Sequence, residues 1–336
     1  MPCSWSTSTP PHDRGIPGGD RQMAARIVVL GNINQDFVMA AERMPQPGET
    51  VLGSDLRFVP GGKAANQAVT AARLGAQTTL IGRVGSDVFG PVLLENLRRE
   101  GINTDFIEVD EAHASGAAFI TLAPTGENSI ISVPGANFAV TPEQVTEAQE
   151  AIAEADFALA QFAVPLEAVE QLIEIAGSVG TRVQIDPTPV RDRLPRKFSR
   201  IFSTVPNETE AARITGVQIT DVASAAAAAS ALRDMGLQIG VITLGAGGCV
   251  IRTEAGGWHV PGYRVTVVDT TGSGDAFAAG FAVALAEGRT PAEAGAFANA
   301  CGALAATVFG AQPSLPHRDA VEAFMQEQRA PEAAEL

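Results

Sequence analysis

Apolar positions follow two rhythms along the chain. Residues 26–31 (RIVVLG) form an unbroken, mostly aliphatic run closed by glycine, the mark of a strand buried on both faces. Further short strands are read at 77–82, 182–186 (RVQID), 200–204 and 239–244 (IGVITL). Helical stretches lie between them. One covers 64–75 and ends at Gly75, a second covers 88–100 before Gly101, and a third, 165–177, opens with Pro165 and closes with Gly177. Proline at the start and glycine at the end are the usual asymmetry of helix termini. Strands alternating with helices predict an α/β fold, a mainly parallel sheet with helices on both faces.

Two segments break that rhythm. Residues 49–59 (ETVLGSDLRFV) and 116–133 are β-rich with no helix between their strands, and 125–128 (TGEN) has the composition of a hairpin tip. They predict a small β-sheet apart from the main one, a flap inserted near the front of the chain. Residues 1–25, rich in Ser, Thr, Pro and Gly, read as a disordered tail.

Composition narrows the class. The chain has 336 residues, 46% hydrophobic and 18% charged, which excludes a mostly disordered chain and a coiled coil. Aromatics are only 5%, so the core must be built from small and aliphatic side chains. The formal net charge is −15, which repels nucleic acid and anionic membranes. An anionic substrate would therefore need a locally positive site made by a metal, backbone N–H groups or a few placed cations. Cys3, Cys249 and Cys301 are too scattered for a disulfide framework or a zinc site, and a reducing compartment is the default. The longest apolar run, 276–286, is well short of the roughly 18 residues of a membrane span. A cytoplasmic protein with neither membrane nor nucleic-acid partners is expected.

The most informative segment is 269–277 (DTTGSGDAF). It follows 264–268 (RVTVV), read as a strand, and opens a helix over 275–287. Gly272 and Gly274 let backbone approach an anion closely, while N–H groups and the helix dipole supply positive charge. Such loops also simply start helices, with Asp275 as a cap. A carboxylate aimed into an anion hole has a use if it removes a proton. Asp275 thus suggests a base acting on a hydroxyl beside a transferring phosphoryl group. No GxxxxGK[ST] or GxGxxG pattern occurs, so neither a Walker A loop nor a dinucleotide fingerprint is present.

Four further segments carry weaker signals. In 60–67 (PGGKAANQ), Gly61 and Gly62 precede Lys63 and a helix whose Asn66 can both donate to and accept from a hydroxyl; a tight turn with a solvated lysine is the bland alternative. In 31–36 (GNINQD), Asn34 and Asp36 share one face beyond the first strand, where ligands of open α/β sheets bind; an Asx turn competes. In 207–210 (NETE), Asn207 and Glu210 have capping-box spacing, which outweighs a Mg²⁺-organising role on spacing alone. The 243–248 loop (TLGAGG) either wraps a nucleotide or turns a hairpin.

Together, GNINQD, PGGKAANQA, PNETE, ITLGAGG, DTTGSGDAF and GAQPS occur in the order typical of the ribokinase (PfkB) family of carbohydrate kinases, which the chain resembles from about Arg26 onward. The DTxGxGD-type segment is highly specific, and GGKxANQA and GAQPS narrow the resemblance toward the ribokinase branch. The resemblance implies a three-layer α/β kinase domain over 26–328, a β lid from about 36–62 and 113–133, and a C-terminal tail at 329–336. It implies a sugar acceptor, ATP as co-substrate, Mg²⁺, K⁺ as activator, and a homodimer formed through the lid. Asp275 matches the family's catalytic base, and Gly272, Ser273 and Gly274 its anion hole. Asn34, Asp36, Gly62, Lys63 and Asn66 match sugar contacts. Asn207, Thr243, Gly245, Gly248, Gly274 and Asn299 match ATP contacts, and Glu210 the acid that organises Mg²⁺ through water. Asp269, Thr271, Ala305, Val308, Gly310 and Ser314 match a K⁺ loop.

One departure matters. The family's ribokinases carry a sugar-contacting Glu in the segment matching 159–165; here it reads LAQFAVP, with Ala163 at that position. Alanine offers no side-chain hydrogen bond, so discrimination through that hydroxyl is lost unless a neighbour or water substitutes. Ribose, deoxyribose, another sugar, a sugar acid or a nucleoside stay open as acceptors. A non-catalytic sugar or nucleotide sensor is a further alternative, although it would be expected to lose Asp275 or the glycines beside it.

Overall fold

The first strand shows how the layers arise. In β1 (Arg26–Leu30), Ile27 and Val29 enter one core while Val28 and Leu30 enter another. Alternation along a strand sends successive side chains to opposite faces, so an unbroken apolar run serves two cores at once. The remaining strands are β2 (Asn34–Ala41), β3 (Gly53–Gly61), β4 (Gln77–Gly85), β5 (Ile107–Asp110), β6 (Gly116–Leu122), β7 (Asn128–Val133), β8 (Phe157–Gln161), β9 (Arg182–Asp186), β10 (Ser203–Thr204), β11 (Ile239–Thr243), β12 (Cys249–Arg252), β13 (Gly257–Val260) and β14 (Ala334–Glu335). The helices are α1 (Lys63–Arg73), α2 (Gly90–Arg99), α3 (Pro142–Glu147), α4 (Gln149–Glu154), α5 (Leu166–Val179), α6 (Glu208–Thr215), α7 (Val222–Asp234), α8 (Ser273–Ala286), α9 (Pro291–Ala305), α10 (Ala311–Ser314) and α11 (Arg318–Gln328). This computed structural model describes residues 24–122, 128–191, 193–328 and 332–336.

The main sheet runs β14-β13-β12-β11-β10-β9-β8-β1-β4-β5. From β11 to β5 every pairing is parallel; β12, β13 and β14 extend it antiparallel. One core lies between the sheet and α1, α8 and α9, the other between the sheet and α3, α4, α5 and α7. Alanine lets α8 and α9 pack closely: Ala278, Ala279, Ala282, Ala298 and Ala300 are all buried. The fold is the three-layer α/β sandwich the sequence predicts. A second sheet, β3-β2-β6-β7, stands apart as the lid. No helix among the described residues is long and apolar enough to cross a membrane.

Some boundaries differ from expectation. The run 264–268 is not a strand. The outer edge of β13 is already paired, Trp258 with Glu335 and His259 with Ala334. The run instead crosses to the loop after α9, where Val268 N–H donates to Ala306 O at 2.8 Å, and Val267 and Val268 stay exposed. The same pairing makes part of the expected C-terminal tail an edge strand. At the other end, Ala25 is buried and accepts the Gln77 N–H at 2.8 Å, so the ordered chain reaches into the expected N-terminal tail. Tail residues 1–23 and 329–331, and the expected hairpin tip save Asn128, lie outside the described residues.

Candidate active site

Parallel strands all point their carboxyl ends the same way, and the candidate residues gather at that end. Gly272 caps α8 with φ +82°, in the left-handed region where glycine is unstrained. Ser273 N–H donates back to Thr270 O at 3.1 Å, so the N–H groups of Gly274 and Asp275 are the remaining donors of that turn. Beside Gly274 there is open space: a side-chain carbon added there would meet nothing within 4 Å. Free backbone donors at a helix start thus adjoin room for a ligand.

Asp275 is 5% exposed in the first turn of α8. Its Oδ2 accepts from Asn66 Nδ2 at 2.8 Å, and its Oδ1 accepts from Gln67 Nε2 at 3.4 Å and lies 3.8 Å from Lys63 Nζ. Burial pushes the carboxyl above its ordinary range; Lys63 opposes this, Asp186 adds to it, and Asn66 and Gln67 oppose it. For Lys63, burial works against the charge. Asp186, Asp275 and Glu210 outweigh it and hold the ammonium above its usual range.

The lid brings the next group. Asn34 and Asp36 are alternate residues of β2 and both are buried. Asn34 Oδ1 accepts from Asn137 Nδ2 at 2.9 Å. Asp36 has no partner at Oδ1, and burial, with the nearby Asp275 charge, raises its pKa to about 7. Glycine at 61 is a close-approach requirement, because an added Cβ would fall 2.1 Å from Asp36 Oδ2. Gly62, at φ +93°, turns the chain into α1. Asn66 Oδ1 and Ser273 Oγ are also buried without partners. Buried polar atoms are nearly always paired, so these unpaired atoms suit a polyhydroxylated ligand.

The 207–210 segment forms the capping box: Asn207 Oδ1 accepts Glu210 N–H at 2.9 Å and Glu210 Oε2 accepts Asn207 N–H at 3.0 Å. Capping leaves Glu210 Oε1 for other work. It lies 2.6 Å from Thr188 Oγ1, which is also 2.6 Å from Asp186 Oδ1. One hydroxyl proton serves one of these carboxylates, so the other oxygen lacks a donor. Thr243 ends β11 and bridges Asn207, and 245–248 turns the β11–β12 hairpin, which was one of the two readings of that loop. Asn299, on α9, donates through Nδ2 to Val260 O at 3.0 Å and Pro261 O at 3.3 Å, fixing the exit of β13.

Asp269 staples two loop segments together, its own and the one carrying Gly310. Its Oδ1 accepts Thr271 N–H at 3.0 Å and Thr271 Oγ1–H at 2.7 Å, and its Oδ2 accepts Gly310 N–H at 2.9 Å. Ala305 O receives Val308 N–H at 3.4 Å, and Ser314 Oγ donates to Ala311 O at 2.7 Å. A small gap separates this loop from Asp36, Val38 and Val59 of the lid. Ala163, half-buried, follows Phe162, whose N–H donates to Thr188 O at 3.0 Å.

Gln67, Gln161, Asp186 and Thr188 join this cluster without a role assigned to them from sequence. Gln67 was visible in principle: Lys63, Asn66 and Gln67 are i, i+3 and i+4 on one helix, hence on one face. Asp186 ends a parallel strand, where the same rule that singled out 31–36 applies.

Residues 24–318 match the family model for pfkB family carbohydrate kinases. Ribokinase of Haemophilus influenzae is 38% identical over 304 residues, covering 90% of this chain and 99% of the relative. Deoxyribokinase of Salmonella typhi is 35% identical over 257 residues, covering 76% and 84%. Among solved structures, Arabidopsis thaliana ribokinase complexed with ribose and ATP superposes with a TM-score of 0.84 at 32% identity, covering 90% of this chain and 99% of that one.

Proposed function

The chain belongs to the pfkB family of carbohydrate kinases, and from that premise we propose that it transfers the γ-phosphoryl group of ATP to O5 of D-ribose, giving ribose 5-phosphate and ADP. The observation that carries this reading is the buried Asp275 carboxylate beside the open backbone of Gly274.

In this reading Asn34, Asp36, Gly62, Lys63 and Asn66 bind the sugar hydroxyls, the unpaired oxygens of Asp36 and Asn66 accepting from them. Asp275 accepts the O5 proton, and O5 attacks the γ-phosphorus in line. The 272–275 turn, Ser273 included, receives the developing charge, with Lys63 adjacent. Asn207, Thr243, Gly245, Gly248, Gly274 and Asn299 line the nucleotide. Lid closure excludes water and so suppresses wasteful ATP hydrolysis. Mg²⁺ fits beside Glu210, where two carboxylates compete for one hydroxyl proton; bound there through water, it would supply charge neutralisation for the polyphosphate. K⁺ would be held by oxygens of the loop of Asp269, Thr271, Ala305, Val308, Gly310 and Ser314, whose carboxylate, hydroxyl and backbone carbonyl groups are hard donors. That loop joins the anion hole through the Thr270–Ser273 bond, so its order bears on the helix start.

A second acceptor, 2-deoxyribose, is favoured by one observation: Ala163 offers no side-chain hydrogen bond. ADP release across ribose, 2-deoxyribose, fructose, a ketodeoxygluconate and adenosine, with and without K⁺, separates the readings. The expected result is fastest turnover on ribose, rising with K⁺. Faster turnover on 2-deoxyribose would make Ala163 the mark of a changed sugar pocket, and no response to K⁺ would remove the cation from the account.

The lid also supports a homodimer. Phe58, Phe37, Phe119 and Ile131 are cross-strand neighbours on its outer face. Phe58 is 57% and Ile131 67% exposed, a row of apolar surface that a second copy would cover. Phe58→Asp is expected to convert a sedimenting dimer to monomer; a wild-type chain that sediments as a monomer contradicts this. The buried free thiols Cys249 and Cys301 fit a reducing compartment, the cytoplasm.

A further inference from the structure

One amide, that of Gln67, sits between Asp275 and a second buried carboxylate, Asp186. Gln67 is 1% exposed. Its Nε2 donates to Asp275 Oδ1 at 3.4 Å and to Asp186 Oδ2 at 3.2 Å, and its Oε1 accepts from Gln161 Nε2 at 2.7 Å. The two carboxylates can only accept, so they decide which way the Gln67 amide faces, and Gln161 meets the oxygen left over. With its oxygen turned to Gln161, both of its hydrogens turn to the carboxylates. Asn66 holds the other oxygen of Asp275. Without Gln67, the carboxylates of β9 and α8 would be bridged by Lys63 alone, 3.4 Å from Asp186 and 3.8 Å from Asp275.

We propose that Gln67, locked by Gln161, is the positioning residue of the base, fixing the Asp275 carboxylate so that one oxygen faces the acceptor hydroxyl in its proton-accepting form. The inference rests on Asp275 being the base, and Gln67 acts only through it. The charged groups facing Asp275 are Lys63 from α1, Asp186 from β9 and Asp36 from β2, with Glu210 of α6 acting on Lys63. Within that set Gln67 opposes the upward pull of burial and Asp186. Its loss therefore makes Asp275 harder to ionise.

The test is the pH profile of kcat at saturating ribose and ATP for Gln67→Met, beside Asp275→Asn. Methionine keeps the length of the side chain and removes both donors. The acid limb is expected to move up by about one pH unit, so that kcat falls about tenfold below the limb and recovers above it. The KM for ribose and the Tm should change little. Gln161→Met removes the donor that meets the Gln67 amide oxygen, loosening that side chain, and should shift the limb the same way by less. It decides the question if Gln67→Met does not fold. An unmoved limb, or a loss equal at every pH, overturns the positioning role. Near-normal turnover in Asp275→Asn is a different failure: it removes the base assignment, and this inference with it.

Discussion

Asp275→Asn should leave the protein folded and able to bind ribose and ATP while lowering kcat roughly 10²–10⁴-fold. The substitution is close to isosteric, and its single amide oxygen can still accept from Asn66 or from Gln67, so one of the two bonds at the start of α8 is kept and the fold with it. It takes away the charge and the capacity to accept a proton. The helix N-terminus and Gly274 are untouched, so binding of the polyphosphate should persist. Burial raises the wild-type carboxyl toward the working pH, which suits a base that must take a proton and later release it. Kinetics at saturating substrates and ribose titration calorimetry check the two halves separately. A variant with normal kcat would mean that the acceptor hydroxyl needs no protein base here.

Asp36→Ala should raise the KM for ribose roughly 10²–10⁴-fold at pH 8 with a smaller effect on kcat. Two hydroxyl bonds to a carboxylate are each worth about 1.5–3 kcal/mol, and each 1.4 kcal/mol is about tenfold. The wild type should also show a pH-dependent KM. Asp36 has a pKa of about 7 because it is buried and near Asp275. Above that pH it is ionised and ready to accept. Below it the carboxyl is protonated, and ribose must compete with that proton. KM therefore rises by up to about tenfold per pH unit as pH falls below about 7. Asp36→Asn has no titration at this position and should flatten that slope. A slope retained in Asp36→Asn would assign the pH dependence to another group.

Much of the fold was legible because the chain states it locally. Runs such as RIVVLG feed two cores and read as strands, and Gly75, Gly101 and Pro165 punctuate helices. The exception is instructive. RVTVV has strand composition, yet strand formation needs a free partner edge, and β14 occupies it from 66 residues or more along the chain. Composition cannot announce so distant a neighbour. The site divides in the same way. Glycines at 62 and 272 and the carboxylates at 36 and 275 were visible as motifs. Gln67 and Asp186 could be placed near the site by helix spacing and strand end, but their joint role with Gln161 could not, because each matters through one another and the set is assembled from α1, β8 and β9. Glu210 shows that the competing readings were never exclusive: one oxygen caps α6 while the other meets Thr188.

Phosphoryl transfer itself can be watched directly by ³¹P NMR of the protein with Mg-ATP, K⁺ and D-ribose. The account predicts that the γ-phosphorus signal of ATP gives way to equal amounts of ADP and ribose 5-phosphate, and that Asp275→Asn stalls both. Ribose that binds while ATP stays intact, or ATP that yields inorganic phosphate in place of the sugar phosphate, would contradict it.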